Sequence, residues 1–215
     1  STGDSVRVVE TNLRPSLVLS SEPDKGIYDA VNKGLKKATS EVIGYLNTDN
    51  FYADADVLAR VAKAFEEDPR VEACFGDLVY VSEDNRKVVR YWKSRPYEKG
   101  SFARGWCPAH PTFYIRRSAL DRLGLFDQAY KLAADVEFMM RYLERGAIRF
   151  VHLPQILVRM RVGMRNQPKL AQCSAAKSQN FAGAYKKCHT LLTNLPRFPQ
   201  VSKPHLATLV RLLDE

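Results

Sequence analysis

The sequence predicts an α/β fold in which helices flank a largely parallel sheet. Apolar runs of strand length alternate with segments of helical periodicity along most of the chain, a pattern typical of α/β architectures. The chain has 215 residues, of which 45% are hydrophobic and 27% charged. These values suit one globular domain with a short appendage. No stretch approaches the length of a membrane-spanning apolar segment, so no transmembrane helix is predicted.

The first part of the chain predicts helix, strand and helix in turn. Ile27–Thr39 repeats its apolar residues with helical spacing. Val42–Leu46 is a compact apolar run, which predicts a buried strand, and it stops at the turn-forming cluster Asn47-Thr48-Asp49-Asn50. A second amphipathic helix is predicted over Asp56–Asp68, where Pro69 ends it.

A hairpin and a long ordered loop are predicted next. Val71–Val81 contains β-type runs around Gly76, and Lys87–Trp92 completes a hairpin with it over a polar turn. Ser94–Pro111 is rich in glycine, proline and aromatic residues, which indicates an ordered loop. Thr112–Arg116 follows as a short strand.

Two helices and two strands complete the predicted domain. Ser118–Leu123 and Asp135–Glu144 both have helical periodicity and both are followed by a glycine stop. Ile148–Leu153 and Ile156–Met160 are predicted strands on either side of a proline. If the strands are parallel, functional residues are expected at their carboxyl ends.

The net charge of +9 is concentrated towards the C-terminal end. From Arg159 onward there are ten basic and two acidic residues. A basic tail suits nucleic acid, an anionic membrane or a phosphate-rich substrate, and a solvated helical face is the alternative. Nucleic acid is disfavoured, because aromatic residues are not interleaved with the basic ones and no recognition motif is present.

The four cysteines predict a reducing compartment. Cys74, Cys107, Cys173 and Cys188 are irregularly spaced and too far apart in sequence for a metal clip. We interpret them as free thiols. The opening residues are polar and lack the pattern of a signal peptide. We therefore expect a cytoplasmic protein.

A candidate metal site follows the strand predicted at 42–46. Asp49 lies between Asn47 and Asn50, so one carboxylate is flanked by two amide oxygens. Such a set suits a hard cation that takes its other ligands from water and a diphosphate, where the cation offsets charge on the leaving group. A polar turn capped by these side chains is the alternative, and the four residues alone favour it.

Candidate acid–base residues occur in two other places. Asp135 and Glu137 begin a predicted helix, where an anion is stabilised and a carboxylate can take the proton of an attacking hydroxyl. The alternative is that Asp135 caps the helix. His110 lies between Pro108 and Pro111, where it could ligate metal, bind phosphate or hydrogen-bond a sugar. A structural histidine is the alternative.

A third candidate precedes the first helix. Asp24, Lys25 and Gly26 form a turn directly before it. A helix N-terminus next to a lysine can meet phosphate or sugar, although turns of this composition are common.

Three segments taken together resemble a known family. SEPDKGIYDAVNKGLKKATSEVIGYLNTDNFY, GWCPAHPTFYIRRSALDRLGLFD and LAADVEFMMRYLERG occur in this order. They resemble the central, acceptor-side and catalytic-base segments of family 2 glycosyltransferases, particularly those of bacterial surface-polysaccharide synthesis. The resemblance covers about residues 1–166, which we expect to form the catalytic domain, with a basic helical appendage over 167–215.

The resemblance implies a fold, a reaction and roles for named residues. The implied fold is the A-type nucleotide-diphospho-sugar transferase fold, which is Rossmann-like with a mixed sheet. The implied reaction is metal-dependent, with Mn²⁺ or Mg²⁺, and inverts the anomeric carbon of a sugar from a nucleotide-diphosphate donor. The implied roles are general base for Asp135, metal ligand for Asp49 with Asn50 nearby, donor contacts for Asp24, Lys25, Gly26, Asn32 and Asn47, and acceptor or metal vicinity for His110 and Glu137.

The sequence also departs from the family pattern. The family's metal motif often has a carboxylate where Asn47 or Asn50 stands. Its domain usually opens with a strand, a helix and a second strand, and Ser1-Thr2-Gly3-Asp4 resembles only the tail of that second strand's motif. We therefore expect an N-terminally incomplete domain. The alternative function is a catalytically incomplete binding module that needs those residues or a partner.

The expected acceptor is a saccharide or a lipid-linked saccharide. Because the tail is basic, we expect the protein to act peripherally at the cytoplasmic face of an anionic membrane.

Overall fold

The computed structural model describes residues 20–48, 50–130 and 133–162. Within these residues there are six strands and four α-helices. The strands are β1 (Val42–Ile43), β2 (Asn50–Tyr52), β3 (Ala73–Val81), β4 (Val88–Trp92), β5 (Tyr114–Arg116) and β6 (Phe150–Arg161). The helices are α1 (Ile27–Lys37), α2 (Val57–Glu66), α3 (Arg117–Leu123) and α4 (Ala134–Met140).

The described strands form one mixed sheet. Their order is β1-β5-β3-β6-β2, with β4 paired to β3. β3 and β6 run parallel, whereas the other four pairings are antiparallel. The predicted α/β fold with a mixed sheet is confirmed, but the expectation of a largely parallel sheet is wrong. One reason is that β4 returns to β3 through a tight hairpin, and a short turn joins only antiparallel neighbours.

Strand β3 is the centre of the molecule. All nine of its residues are buried. Ala73 and Phe75 pack into one apolar cluster with α1, α3 and α4, while Cys74 and Leu78 pack into a second cluster with α2. Because alternate side chains of a strand point to opposite faces, this division shows that helices cover both faces of the sheet.

Strand β1 is shorter than predicted. The apolar run was expected to form a strand over Val42–Leu46, but pairing with β5 covers only Val42 and Ile43. At Gly44 the backbone crosses the ring of Tyr114 so closely that an added Cβ would lie 2.4 Å from the ring. The chain then leaves the sheet and carries Tyr45 towards the loop that precedes β5.

Strand β6 is a single strand where two were predicted. It runs from Phe150 to Arg161 through Pro154, and its register with β3 shifts beside Gly76. A bulge accommodates a proline in a strand because the missing N–H falls outside the ladder.

Helix α4 is also shorter than predicted. The expected helix over Asp135–Glu144 is α-helical only to Met140 and continues as a π-helical turn over Arg141–Arg145. The remaining predicted helices and the hairpin agree with the structure to within two or three residues.

No helix in the described part of the chain is long and apolar enough to cross a membrane. The predicted boundary after residue 166 and the basic segment 167–215 lie outside the described residues.

Candidate active site

Four polar side chains from four separate segments meet near the start of α4. The hydroxyl of Tyr28, on α1, donates a hydrogen bond of 3.2 Å to Oδ1 of Asp135. Nδ1 of His110 lies 3.8 Å from Oδ2 of the same carboxylate. The hydroxyl of Tyr45 is within hydrogen-bonding distance of that Nδ1. The sheet therefore brings together two of the predicted residues, His110 and Asp135, with two tyrosines.

Asp135 belongs to the first turn of α4 but does not cap it. Ala133 occupies the N-cap position, and no side chain there makes a capping hydrogen bond. The side chain of Asp135 is 32% exposed, so one edge of the carboxylate faces solvent. Tyr28 binds Oδ1, and Oδ2 lies beside His110.

His110 is largely buried, with 11% of its side chain exposed, and its lowered pKa favours the neutral form. It lies in a 3₁₀ turn, His110–Thr112, directly before β5. Burial lowers the pKa of His110 to about 4, and the nearby charge of Asp135 opposes this shift only in part. A neutral imidazole has one donor and one acceptor nitrogen, so His110 can hydrogen-bond a ligand hydroxyl at neutral pH without adding charge.

Tyr28 is held as a hydrogen-bond donor. Burial, followed by the charge of Asp135, raises the pKa of the Tyr28 hydroxyl well above its ordinary value. The proton therefore stays on the phenol at physiological pH, and the phenol donates to the carboxylate.

Stacked aromatic rings form the wall behind these groups. Phe126 stacks on Phe138 with ring centroids 4.2 Å apart, and on Tyr28 at 5.6 Å. It also contacts the rings of His110 and Tyr45 edge-on. Because buried aromatic rings have few alternative rotamers, this packing fixes the directions of the Tyr28 and Tyr45 hydroxyls and of the His110 ring nitrogens.

Asn32 holds this wall in place. Its amide nitrogen donates to the carbonyl of Phe126 at 2.8 Å, and its oxygen accepts from the Phe126 N–H at 3.0 Å. Only 4% of Asn32 is exposed. The donor contact implied for Asn32 stays a prediction, and the structure gives the side chain this other partner.

The turn before α1 has its own internal bonds. Oδ1 of Asp24 accepts a hydrogen bond from the Gly26 N–H at 2.9 Å, and Asp29 accepts one from the Lys25 N–H. Gly26 has a φ of 125°, which favours glycine. Asp24, Lys25 and Gly26 are exposed, so the turn starts α1 and leaves the Lys25 side chain at the surface. Their donor contacts stay predictions.

Glu137 faces away from the site. It is buried, and both its oxygens bind the guanidinium of Arg141, at 2.7 and 3.0 Å. Arg141 also donates to the carbonyls of Leu123, Gly124 and Leu125. The pair therefore ties α4 to the segment after α3. The acceptor or metal vicinity implied for Glu137 stays a prediction.

The predicted metal site is described only in part. Asp49 lies outside the described residues. Asn50 is buried, and neither atom of its amide has a hydrogen-bond partner among the described residues. The backbone carbonyl of Asn47 accepts a hydrogen bond from the Asn50 N–H at 2.9 Å. An unpaired amide oxygen beside an aspartate fits a hard cation. The described residues hold no cluster of three or more acidic, histidine or cysteine ligands.

Comparison with known proteins identifies the family. Residues 1–124 match the family described as Glycosyl transferase family 2. The chain belongs to this family. It is 28% identical over 152 residues to a PGL/p-HBAD biosynthesis glycosyltransferase of Mycobacterium bovis, a match that covers 70% of this chain and 57% of the relative. An uncharacterized glycosyltransferase of Mycobacterium tuberculosis is 26% identical over 144 residues, covering 65% and 53%.

A solved structure shows the same fold. S. aureus TarS 1-349 superposes with a TM-score of 0.50 at 17% identity, covering 73% of this chain and 46% of TarS. This similarity and the family match confirm the predicted A-type glycosyltransferase fold. The chain spans just over half the length of the curated relatives it matches.

Tyr28 and Tyr45 were not among the site residues predicted from the sequence, although both contact the candidate site. Both lie inside the segment that resembles the family's central signature, but tyrosines near strands and helices usually belong to the core. A signal was nevertheless present, because Tyr28 lies two residues after the candidate turn Asp24-Lys25-Gly26, and Tyr45 lies two residues before Asn47.

We predict that buried His110 makes folding stability depend on pH. The pKa of His110 is lower in the folded protein than the ordinary value of about 6.5 in the unfolded chain, so the unfolded chain binds more protons between pH 6.5 and about 4. Stability should therefore fall as the pH drops through this window. From pH 7 to pH 5, the wild type should lose about 2 kcal/mol more unfolding free energy than His110→Gln does.

Urea unfolding of both proteins at the two pH values measures this difference. Equal losses in the wild type and the variant would show that the pKa of His110 is not lowered in the folded protein.

Proposed function

We propose that this protein is an inverting glycosyltransferase that moves a sugar from a nucleotide-diphosphate donor to an acceptor hydroxyl. Membership of the family Glycosyl transferase family 2 supports the transfer of a sugar. The observation that supports the finer proposal is the part-exposed carboxylate of Asp135, fixed by Tyr28 and flanked by neutral His110. Carboxylates oriented by a neighbouring hydrogen bond are typical general bases.

In the proposed reaction Asp135 deprotonates the acceptor. As the acceptor oxygen attacks the anomeric carbon, its proton moves to Oδ2 of Asp135, and the bond from that carbon to the diphosphate breaks. One displacement from the face opposite the leaving group inverts the configuration. Tyr28 keeps Oδ1 occupied, so Oδ2 is the basic atom, and orientation of this kind lowers the entropy cost of reaching the transition state.

His110 and Tyr45 orient the acceptor in this proposal. The imidazole lies beside Oδ2, and its free nitrogen can hydrogen-bond the same sugar or an adjacent hydroxyl. Because the ring is neutral, it does not compete with the acceptor for the charge of Asp135. The part-exposed ring of Tyr28, which stacks on buried Phe126, provides an apolar surface next to these groups.

The donor and its metal ion are proposed on the side of Asn47 and Asn50. Asp49 would ligate Mn²⁺ or Mg²⁺, and the unpaired amide of Asn50 supports a cation at this turn. When bound, the ion supplies positive charge that stabilises the departing diphosphate.

The acceptor is proposed to be a saccharide or a lipid-linked saccharide of surface polysaccharide or glycolipid synthesis. Relatives named for PGL/p-HBAD biosynthesis support this class.

We also propose that the protein acts in the cytoplasm at an anionic membrane face, held by its basic residues beyond Arg165. Flotation of the full chain and a tail-deleted chain with phosphatidylglycerol liposomes tests this, and equal binding would contradict it.

Asp135→Asn should lower turnover by about 10²–10⁴, the usual effect of losing a general base. The KM for the donor should change little, because the carboxylate acts on the acceptor. Nucleotide release in the presence of a donor panel and acceptor measures both constants. Glu137→Gln is the matched control, and we expect it to lower stability by breaking a buried pair while the folded enzyme keeps its turnover.

Near-normal turnover of Asp135→Asn, together with an inactive but folded Glu137→Gln, would assign the base to Glu137. Donor binding by the wild type without any turnover would instead support the alternative of a binding module.

Asp49→Ala should abolish Mn²⁺- or Mg²⁺-dependent transfer and weaken Mn²⁺ binding in calorimetry, while the fold stays intact. The reason is that a turn with one carboxylate loses its only anionic ligand. Asp54→Ala is the matched control, because Asp54 is exposed and pairs with Arg60. Wild-type turnover and Mn²⁺ affinity in Asp49→Ala would disprove the metal assignment.

A further inference from the structure

A gap along one edge of β3 lies close to the candidate active site. On this edge β5 pairs with Ala73 and Cys74, and β4 pairs with β3 only from Leu78 onward. Between these two partners the N–H and C=O of Gly76 have no strand beside them. Buried backbone groups need hydrogen-bond partners, so other groups must satisfy Gly76.

Two buried hydroxyls fill this gap. Oγ1 of Thr112 accepts a hydrogen bond from the Gly76 N–H at 3.2 Å and lies 2.9 Å from the Gly76 carbonyl oxygen. Oγ of Ser94 donates to the same carbonyl at 2.8 Å. Thr112 is 0% exposed and Ser94 is 1% exposed, so water does not compete for these bonds.

The same hydroxyls also bind the residue before His110. Oγ1 of Thr112 lies 2.7 Å from the carbonyl oxygen of Ala109, and Oγ of Ser94 accepts from the Ala109 N–H at 3.4 Å. Thr112 has one proton to donate, which it shares between the carbonyls of Gly76 and Ala109. Ala109 is thereby tied to the central strand from both sides.

The short turn that carries His110 is closed within itself. The Thr112 N–H donates to the Ala109 carbonyl at 2.9 Å, and the Phe113 N–H donates to the His110 carbonyl at 3.0 Å. A shift of His110 towards or away from Asp135 would therefore break buried hydrogen bonds, and buried polar groups left without partners destabilise the fold.

We propose that Thr112, assisted by Ser94, is a positioning residue for sugar transfer. Its hydroxyl anchors the His110 turn to β3 and so sets the distance between the imidazole and the carboxylate of Asp135. This inference rests on the proposed roles of His110 and Asp135. It adds a residue that touches neither substrate nor metal in the proposed reaction.

A purely structural role for Thr112 makes a different prediction. In that case, loss of the hydroxyl lowers stability but leaves the imidazole where it is. The two roles are separated by the environment of His110 in the folded protein and by the split between kcat and KM.

The experiment compares Thr112→Val, which removes the hydroxyl at nearly constant shape, with Thr112→Ser, which keeps it. Val57→Ala is the control for lost stability, because Val57 is fully buried in the cluster on the other face of the sheet. Ring ¹⁵N chemical shifts of His110, assigned with His110→Gln, are measured at neutral pH in the full chain. Turnover and the KM for acceptor and donor are measured on the same proteins.

We expect Thr112→Val to change the His110 ring shifts and to lower kcat by about 10- to 100-fold, the size of effect that small misplacements produce. The donor KM should stay within about 2-fold of wild type. Thr112→Ser should restore both the shifts and kcat, and Val57→Ala should leave both unchanged.

Unchanged His110 shifts in folded Thr112→Val would overturn the proposal, as would a kcat loss in Val57→Ala as large as that in Thr112→Val. If Thr112→Val does not fold, Ser94→Ala removes the second hydroxyl instead. Unchanged His110 shifts in folded Ser94→Ala, or an equal kcat loss in Val57→Ala, would then overturn the proposal. The ring shifts do not depend on turnover, so an inactive wild type would contradict the proposed function while the test of positioning still stands.

Discussion

The hydrogen bond from Tyr28 to Asp135 is the contact on which the candidate site depends. It joins α1 to the start of α4 across a sequence separation of 107 residues. The bond forms only when both helices pack on the same face of the sheet, and Phe126 makes this possible by stacking between them. Asn32 then fixes Phe126 through its backbone. The position of the Asp135 carboxylate therefore depends on how the whole apolar cluster packs.

Asp135 and Glu137 lie on one helix but have different roles, because their environments differ. Asp135 is part-exposed and faces a tyrosine and a neutral histidine. Glu137, two residues later, is buried against Arg141. A buried, fully hydrogen-bonded ion pair is costly to break, so Glu137 stabilises the helix while Asp135 stays accessible. The turn of the helix, about 100° per residue, separates the catalytic candidate from the structural one.

Periodicity and motif spacing predicted most of the fold. The helices α1, α2 and α3 and the β3–β4 hairpin depend on local sequence, and so they were found within a few residues. The length of β1 was wrong because the close approach of Gly44 to Tyr114 involves residues far apart in sequence. The prediction of mostly parallel strands was wrong for a similar reason. The alternation of strands and helices along the chain does not reveal which strands become neighbours.

The candidate site was predictable only where a motif marked it. Asp135 and His110 lie in segments that resemble family motifs. Tyr45 and Thr112 also lie in such segments, but they take part through contacts that no local pattern encodes. Asn32 lies in a marked segment, yet its partner Phe126 is 94 residues away. Residue types in a motif therefore indicate importance, but only the packed structure shows which of them reach the ligand and which hold the others.

We infer that the Tyr28 hydroxyl orients Asp135 as the base. The most direct test is the turnover of Tyr28→Phe, which removes one oxygen and keeps the ring stacked on Phe126. Tyr28→Phe should lower kcat by about 10-fold or more and leave the donor KM unchanged, as expected when an orienting bond acts in the transition state. Wild-type kcat in folded Tyr28→Phe would contradict it.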